Sequence, residues 1–143
     1  MNPNATLPTI TLGAADFSRL DQLASAAEYK LPEVASYLGQ ELERARVVPT
    51  REVGADVVTM GARVVFEDDH GERHDVTLVY PEEADMEKGR LSVLTPVGAA
   101  LIGLKAGQSI RWRTRSDEER TLTVREVAQR AGDGDGRLFQ ELG

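Results

Sequence analysis

His70 and His74 are the two histidines of the chain, and Asp68, Asp69 and Asp75 lie beside them. Imidazole and carboxylate groups are common ligands of metal ions in proteins. A four-residue spacing would place two such ligands on one face of a helix, but the surrounding residues predict a turn followed by a strand. We therefore interpret this stretch as the polar tip of a hairpin, and the sequence predicts no bound metal.

Other arrangements that could perform catalysis have little support in the sequence. The chain has no cysteine, which removes thiolate metal sites, disulfides and cysteine nucleophiles together. The glycine-containing run at residues 95–107 has neither the strand–Gly-x-Gly-x-x-Gly–helix context nor the Walker lysine of a phosphate-binding loop. We predict that the chain is not an enzyme, has no catalytic residues and requires no cofactor.

The composition is that of an acidic globular protein. A length of 143 residues with 41% hydrophobic residues is enough for one domain, or for one domain with a small appendage. The net charge of −7 argues against a nucleic acid as the main partner, because duplex-binding proteins neutralise phosphates with Lys and Arg. Arg111, Arg113 and Arg115 form one local basic patch.

Two features of the sequence predict where the protein acts. The N-terminal residues have no basic region followed by a long apolar run, so they do not form a secretory signal. The most apolar stretch, residues 92–104, is too short to span a bilayer and contains a proline and two glycines. We expect a cytoplasmic protein without a membrane partner.

Two amphipathic helices with a short turn between them are predicted within the first 50 residues. The first helix runs from Asp16 to Ala27, and the second begins at Pro32, a residue that suits the first helical position. The apolar positions are Phe17, Leu20, Leu23, Ala24 and Ala27 in the first helix and Val34, Leu38, Leu42 and Ala45 in the second; Glu33, Gln40, Glu41, Glu43 and Arg44 are expected to face water. An antiparallel hairpin follows, with helices of about 12 and 16 residues, or roughly 18 and 24 Å.

From Val57 onward the pattern favours strands. Strands are predicted at residues 57–60, 62–67, 75–80, 91–94, 109–114 and 120–127, with a short extended piece at residues 7–12. A turn is predicted at residues 68–71, and Pro96 begins a short helix that ends at Gly103. This order of elements predicts an antiparallel α+β domain.

Residues 57–127 resemble the C-terminal domain of the Gre transcript-cleavage factors. The resemblance is carried by residues 57–61, 83–85, 91–92 and 95–103 together with Gly89, Gly107 and Ile110. Within that superfamily, the segments DVVTM (56–60), TLVYP (77–81) and LSVLTPVGAALIGLKAGQSIRW (91–112) are more similar to the Rnk group than to GreA or GreB. The segment LPEVASYLGQELERA (31–45) is similar to the second helix of the short hairpin of that group.

The resemblance implies a fold and a division of the chain. The expected fold class is α+β, with a short N-terminal antiparallel helical hairpin followed by an FKBP-like antiparallel β-sheet domain with one short helix. The expected parts are the hairpin at residues 1–50, the Gre-type domain at residues 51–130 and a flexible tail at residues 131–143. Prolyl isomerase activity does not follow from the FKBP-like fold alone.

The resemblance also implies a function. Gre C-terminal domains sit on the rim of the secondary channel of bacterial RNA polymerase, and a long coiled coil presents paired carboxylates to the catalytic metal. Rnk-like proteins keep the docking domain but have a short hairpin. We predict a monomeric transcription regulator that binds RNA polymerase at this rim and competes with Gre factors, without cleavage activity and without sequence-specific DNA binding. The group is named for regulation of nucleoside diphosphate kinase, which implies no kinase chemistry.

The resemblance places the polymerase-binding residues on one loop–strand–helix surface. These residues are Glu83, Asp85, Ser92, Thr95 and Pro96. The alternative function is a true Gre-type cleavage factor that acts through Glu28 and Glu33 in the hairpin turn, although both are also explained as solvated charges at helix ends. A third possibility is direct contact with nucleoside diphosphate kinase or another protein.

Overall fold

The computed structural model describes residues 7–114 and 116–129 and has an α+β architecture, as predicted. The elements in chain order are β1 (Thr11–Gly13), α1 (Ala14–Ala27), α2 (Pro32–Arg44), β2 (Arg46–Val48), β3 (Arg63–Asp68), β4 (Arg73–Val79), β5 (Arg90–Ser92), α3 (Pro96–Leu101), β6 (Ser109–Arg113) and β7 (Glu119–Ala128). The tail predicted at residues 131–143 lies outside the described residues.

Helices α1 and α2 form the predicted hairpin, with different lengths. They have 14 and 13 residues, or about 21 and 20 Å, instead of about 12 and 16 residues. Helix α2 begins at Pro32 as expected, and it ends at Arg44 because Ala45 adopts an extended backbone that leads into β2. Leu20 of α1 and Leu38 of α2 are completely buried in the core between the elements.

The segment before the hairpin connects it to the rest of the chain. Strand β1 pairs in parallel with β2, an arrangement that the sequence pattern does not predict. The amide of Thr11 also donates to the carbonyl of Gly103 at 3.1 Å, beyond the end of α3. Ile10 and Leu12 are buried in the same apolar core as Leu101. The core is therefore continuous across residue 50, and a division of the chain at that position stays a prediction.

The main sheet has five strands in the order β5-β4-β3-β7-β6. Three of its four pairings are antiparallel, as predicted, but β5 pairs with β4 in parallel. Residues 80–89 carry the chain back beside the second half of β4, so that Arg90 lies opposite Thr77 and β5 runs in the same direction. Strand β6 is one edge of the sheet.

The predicted strand at residues 57–60 is wrong. Val57 forms only an isolated bridge with Lys105, and the amide of Val58 donates to the carbonyl of Leu104 at 2.8 Å. Both valines are buried in a connecting segment. Their β-branched side chains, which favour a strand in the sequence pattern, occur here because the segment is part of the core. The turn at residues 68–71 is confirmed, with Gly71 at a φ of 82°.

In the two described ranges of the chain, no helix combines the length and the apolar character needed to cross a membrane.

Candidate functional site

The turn before α3 holds three of the five residues predicted to bind polymerase. The hydroxyl of Thr95 accepts a hydrogen bond from the amide of Gly98 at 3.0 Å and donates one to the carbonyl of Ser92 at 2.7 Å. The hydroxyl of Ser92 accepts from the amide of Leu94 at 3.0 Å. Ser92 and Thr95 therefore use their side chains to fix the turn, and Pro96 is the residue that this turn presents at the start of the helix.

Gly98 is required by the close approach of this turn to α3. A Cβ atom at this position would lie 2.2 Å from the carbonyl oxygen of Ser92 and 2.8 Å from the Cα of Val93. Both atoms belong to the backbone and cannot rotate away. The glycine therefore permits the helix to pack directly on the end of β5.

The loop between β4 and β5 carries Glu83 and Asp85. Asp85 caps the short 3-10 turn Met86–Lys88 by accepting a hydrogen bond from the amide of Glu87 at 3.1 Å. Its backbone pairs with Arg90 through two hydrogen bonds of 2.9 Å. Glu83 is exposed at the end of the preceding 3-10 turn, Pro81–Glu83. The loop thus has internal bonds that hold its acidic residues in place.

A small cavity of about 320 Å³ lies between this loop and the start of α1, and Glu83 is part of its lining. The guanidinium of Arg19 lies 3.8 Å from the ring centroid of Tyr80 and 3.1 Å from the carboxylate of Glu82. The carboxylate of Asp16 accepts a hydrogen bond from the amide of Met60 at 3.1 Å. Burial raises the pKa of Tyr80 to about 12. The contacts of Arg19 with Tyr80 and Glu82 hold this loop against the helical hairpin.

A larger groove, of about 950 Å³, lies on the other side of the Ser92–Pro96 turn. Its lining includes Leu94 and Pro96, Leu31 and Tyr37 of the helical hairpin, and Trp112 of β6. The Tyr37 hydroxyl and the Trp112 indole nitrogen are buried without a hydrogen-bond partner in the described part of the chain. Burial also raises the pKa of Tyr37. The sequence did not indicate this groove.

The five predicted residues lie between positions 83 and 96, and two of them line depressions. Glu83 lines the small cavity, and Pro96 lines the groove. Glu28 and Glu33, the carboxylates of the alternative function, lie at the end of α1 and in the first turn of α2, and both are exposed.

The histidine-containing hairpin tip is held by internal hydrogen bonds. The ring Nε2 of His74 lies 2.9 Å from one carboxylate oxygen of Asp68, and the other oxygen accepts from the amides of His70 and Glu72 at 2.9 Å. The His74 ring stacks on Phe66 at 4.9 Å between centroids. Ligand atoms of Asp68, Glu72 and His74 lie within 4.8 Å of one another, while His70 is outside this group. These bonds explain the arrangement of the tip without an ion.

We predict that Asp68 contributes to stability only while it is ionised. The hydrogen bond from His74, followed by those from the Glu72 and His70 amides, lowers the pKa of Asp68 to about 2. Because its usual value is about 3.9, its contribution is present above pH ~4 and is lost as the pH falls toward 2. In urea unfolding at steps between pH 5 and 2.5, the midpoint of Asp68→Asn should therefore fall less steeply than that of the wild type. Glu43→Gln, an exposed change on α2, is the control and should follow the wild type.

Comparison with known proteins agrees with this architecture in both halves of the chain. Residues 8–48 match the family described as "Rnk N-terminus", and residues 52–129 match "Transcription elongation factor, GreA/GreB, C-term". The "Regulator of nucleoside diphosphate kinase" of Escherichia coli strain K12 is 39% identical over 130 residues, which cover 88% of this chain and 96% of that protein. The chain belongs to the Rnk family.

The relationship of this Rnk family member to Gre factors is also visible in sequence and structure. GreA of Azorhizobium caulinodans, named a transcription elongation factor, is 34% identical over 97 residues, covering 67% of this chain and 59% of GreA. The solved structure named "Prokaryotic transcription elongation factor GreA/GreB from Nitrosomonas europaea" aligns with a TM-score of 0.66 and 34% identity, covering 85% of this chain and 98% of that one. These matches confirm the predicted family and the Gre-type fold.

Proposed function

We propose that this Rnk family member is a transcription regulator that binds bacterial RNA polymerase at the rim of the secondary channel and excludes Gre factors from it. Glu83, Asp85 and the turn held by Ser92 and Thr95, which presents Pro96, form the docking surface. The observation that carries the proposal is the pairing of a Gre-type sheet at residues 52–129 with helices of only 14 and 13 residues. The protein keeps the docking part and lacks the length of a Gre coiled coil.

The short hairpin is the reason to expect no transcript cleavage. Assistance by a carboxylate requires an oxygen within about 2–2.6 Å of a metal ion. Glu28 and Glu33 lie at the end of helices about 20 Å long, whereas a Gre coiled coil is about twice that length. Neither side chain is long enough to make up the difference.

Binding to polymerase does not require a contact with free duplex DNA. The chain carries a net charge of −7, and its basic patch is partly neutralised. Arg111 lies 3.7 Å from Glu119 and Arg113 lies 3.2 Å from Asp117, while Arg115 lies outside the described residues. We propose that the protein acts in the cytoplasm as a monomer and contacts the polymerase itself.

A backtracked elongation complex with a labelled transcript tests the proposed function. The protein alone should release no cleavage product, and it should inhibit cleavage by an added Gre factor in a way that excess Gre factor reverses. A Glu28→Gln/Glu33→Gln variant should inhibit as strongly as the wild type. Cleavage by the wild type alone that disappears in this variant would establish the alternative, a true cleavage factor.

Changes at Asp85 and Pro96 should weaken binding to core polymerase. We expect an Asp85→Lys/Pro96→Ala variant to lose about tenfold or more in affinity, because a few central residues dominate most interfaces. Asp85→Asn is the variant to compare with the change to lysine. Its amide oxygen can still cap the Met86–Lys88 turn, so it removes the charge at position 85 and keeps the cap. Asp21→Lys, on an exposed position of α1, controls for charge. Unchanged affinity in a folded double variant would place the docking site elsewhere.

A direct complex with nucleoside diphosphate kinase is the second candidate function. It is favoured by the name of the Escherichia coli relative, a regulator of that kinase. Size-exclusion chromatography of the two purified proteins distinguishes the candidates. Co-elution would support a direct complex, whereas separate elution together with polymerase binding would support regulation through transcription.

A further inference from the structure

The tip of the helical hairpin exposes two large hydrophobic side chains. Tyr29 is 96% exposed and Leu31 is 47% exposed, both in the turn between α1 and α2. In the described ranges, the other exposed large hydrophobic residues are Met86 at 62% and Val47 at 44%. A single exposed hydrophobic residue is ordinary on a protein surface, but two within three positions form a local patch.

The turn that carries this patch is held by hydrogen bonds at both ends. The amide of Leu31 donates to the carbonyl of Ala27 at 2.8 Å, and the carbonyl of Leu31 accepts from the amide of Ala35 at 2.9 Å. Pro32 restricts the backbone at the start of α2. A partner that contacts Tyr29 therefore has little backbone to order, which reduces the entropic cost of binding.

One residue of the patch shares a groove with the proposed docking surface. Leu31 and Pro96 line the same groove, so they face a common side of the molecule. Met86 follows Asp85 directly in the loop between β4 and β5, which we call the docking loop. Three of these four exposed hydrophobic residues therefore lie on the hairpin tip or on the docking loop. Val47, on β2, is the exception and provides a control.

The groove between Leu31 and Pro96 also contains groups that a bound partner could satisfy. The Tyr37 hydroxyl and the Trp112 indole nitrogen are buried in its lining without partners in the described part of the chain. Buried donors without acceptors are uncommon in folded proteins.

From these observations we propose that Tyr29 and Leu31 form a second anchor for RNA polymerase, which inserts into an apolar depression on the polymerase surface beside the secondary channel. The inference rests on the proposed function, because it takes the polymerase as the partner that covers Pro96. Tyrosine is among the residues that contribute most to interfaces, since it combines a large apolar ring with a hydroxyl. In this arrangement the hairpin tip contributes binding affinity, and Glu28 and Glu33 remain solvated at its border.

Binding of the full-length protein to core polymerase, measured by biolayer interferometry, tests the second anchor. A Tyr29→Ser/Leu31→Ser variant should bind about tenfold more weakly than the wild type. Val47→Ser, which removes an exposed hydrophobic residue elsewhere, should bind as the wild type does. Tyr29→Phe should keep most of the affinity, because the ring makes the main contact. Thermal unfolding should be nearly unchanged in all three variants, since the residues are exposed.

The other outcomes separate this inference from the proposed function. Equal binding by the wild type and the double variant would overturn the second anchor and leave the docking surface intact. Failure of the wild type to bind polymerase would overturn the proposed function and the second anchor together. Sedimentation of the free protein tests a third outcome. If the wild type is a dimer, the double variant is a monomer and both bind polymerase equally, the tip makes contacts between copies of the chain and the inference is overturned.

Discussion

Gly98→Ala is expected to lower the free energy of unfolding by about 3 kcal/mol or more, because the added methyl group has no space. The new Cβ would lie 2.2 Å from the carbonyl oxygen of Ser92, which is within the distance of a severe clash. Relief requires either α3 or the end of β5 to move. Either movement breaks the hydrogen bonds by which Thr95 holds the turn. Guanidinium unfolding monitored by Trp112 fluorescence measures the loss.

Gly39 is a matched control for this substitution. It lies inside α2, and a Cβ there would meet nothing within 4 Å. Gly39→Ala should therefore stabilise the protein by up to about 1 kcal/mol, through the higher helix propensity of alanine. Opposite signs for the two glycines would support the clash as the cause. Equal, small effects would mean that the turn before α3 relaxes easily and does not have a defined shape.

Arg44→Met is expected to destabilise the protein by about 3–5 kcal/mol, because it leaves the carboxylate of Glu41 buried without its partner. Glu41 is only 3% exposed, and Arg44 donates to its two carboxylate oxygens at 2.8 and 3.2 Å. Arg44 also donates to the carbonyl of Pro8 and so ties the segment before β1 to α2. Urea unfolding at pH 7 measures the change in the free energy of unfolding.

A double-mutant cycle separates the ion pair from its environment. Glu41→Met/Arg44→Met should be much less destabilised than Arg44→Met, because no charge is then left alone in the interior. Arg63→Ala breaks an exposed pair with Asp75 and should have a far smaller effect. If the double change costs as much as Glu41→Met and Arg44→Met added together, the pair is not coupled and the contact of Arg44 with Pro8 carries the stabilisation.

The local elements of the fold were predictable because their signals lie within a few residues of one another. Pro32 marks the start of α2, and Pro96 marks the start of α3. The turn at residues 68–71 has Asp68 to accept backbone hydrogen bonds and Gly71 to adopt a positive φ. Such signals act through the backbone nearby and do not depend on the rest of the chain.

The failed predictions depended on partners that are distant in the sequence. Glu41 was expected to face water, yet it is buried because the Pro8 segment and Arg44 cover it. Buried valines at positions 57 and 58 were interpreted as a strand, but their backbones contact residues 103–105 across the core. Hydrophobic pattern alone does not distinguish these cases.

The amino-acid sequence by itself determined the Rnk family, the helical hairpin and the α+β class, whereas the docking surface between Glu83 and Pro96 stays a prediction. Tertiary structure alone decided how the residues of that segment are held. Packing of α3 on β5 makes Ser92 and Thr95 supports for Pro96, and the return of the chain between β4 and β5 makes β5 parallel. The tertiary structure also places Leu31 and Pro96 in one groove, although 65 positions separate them in the sequence. Local sequence patterns record the backbone preference of each segment, whereas such contacts arise only when the segments share a core.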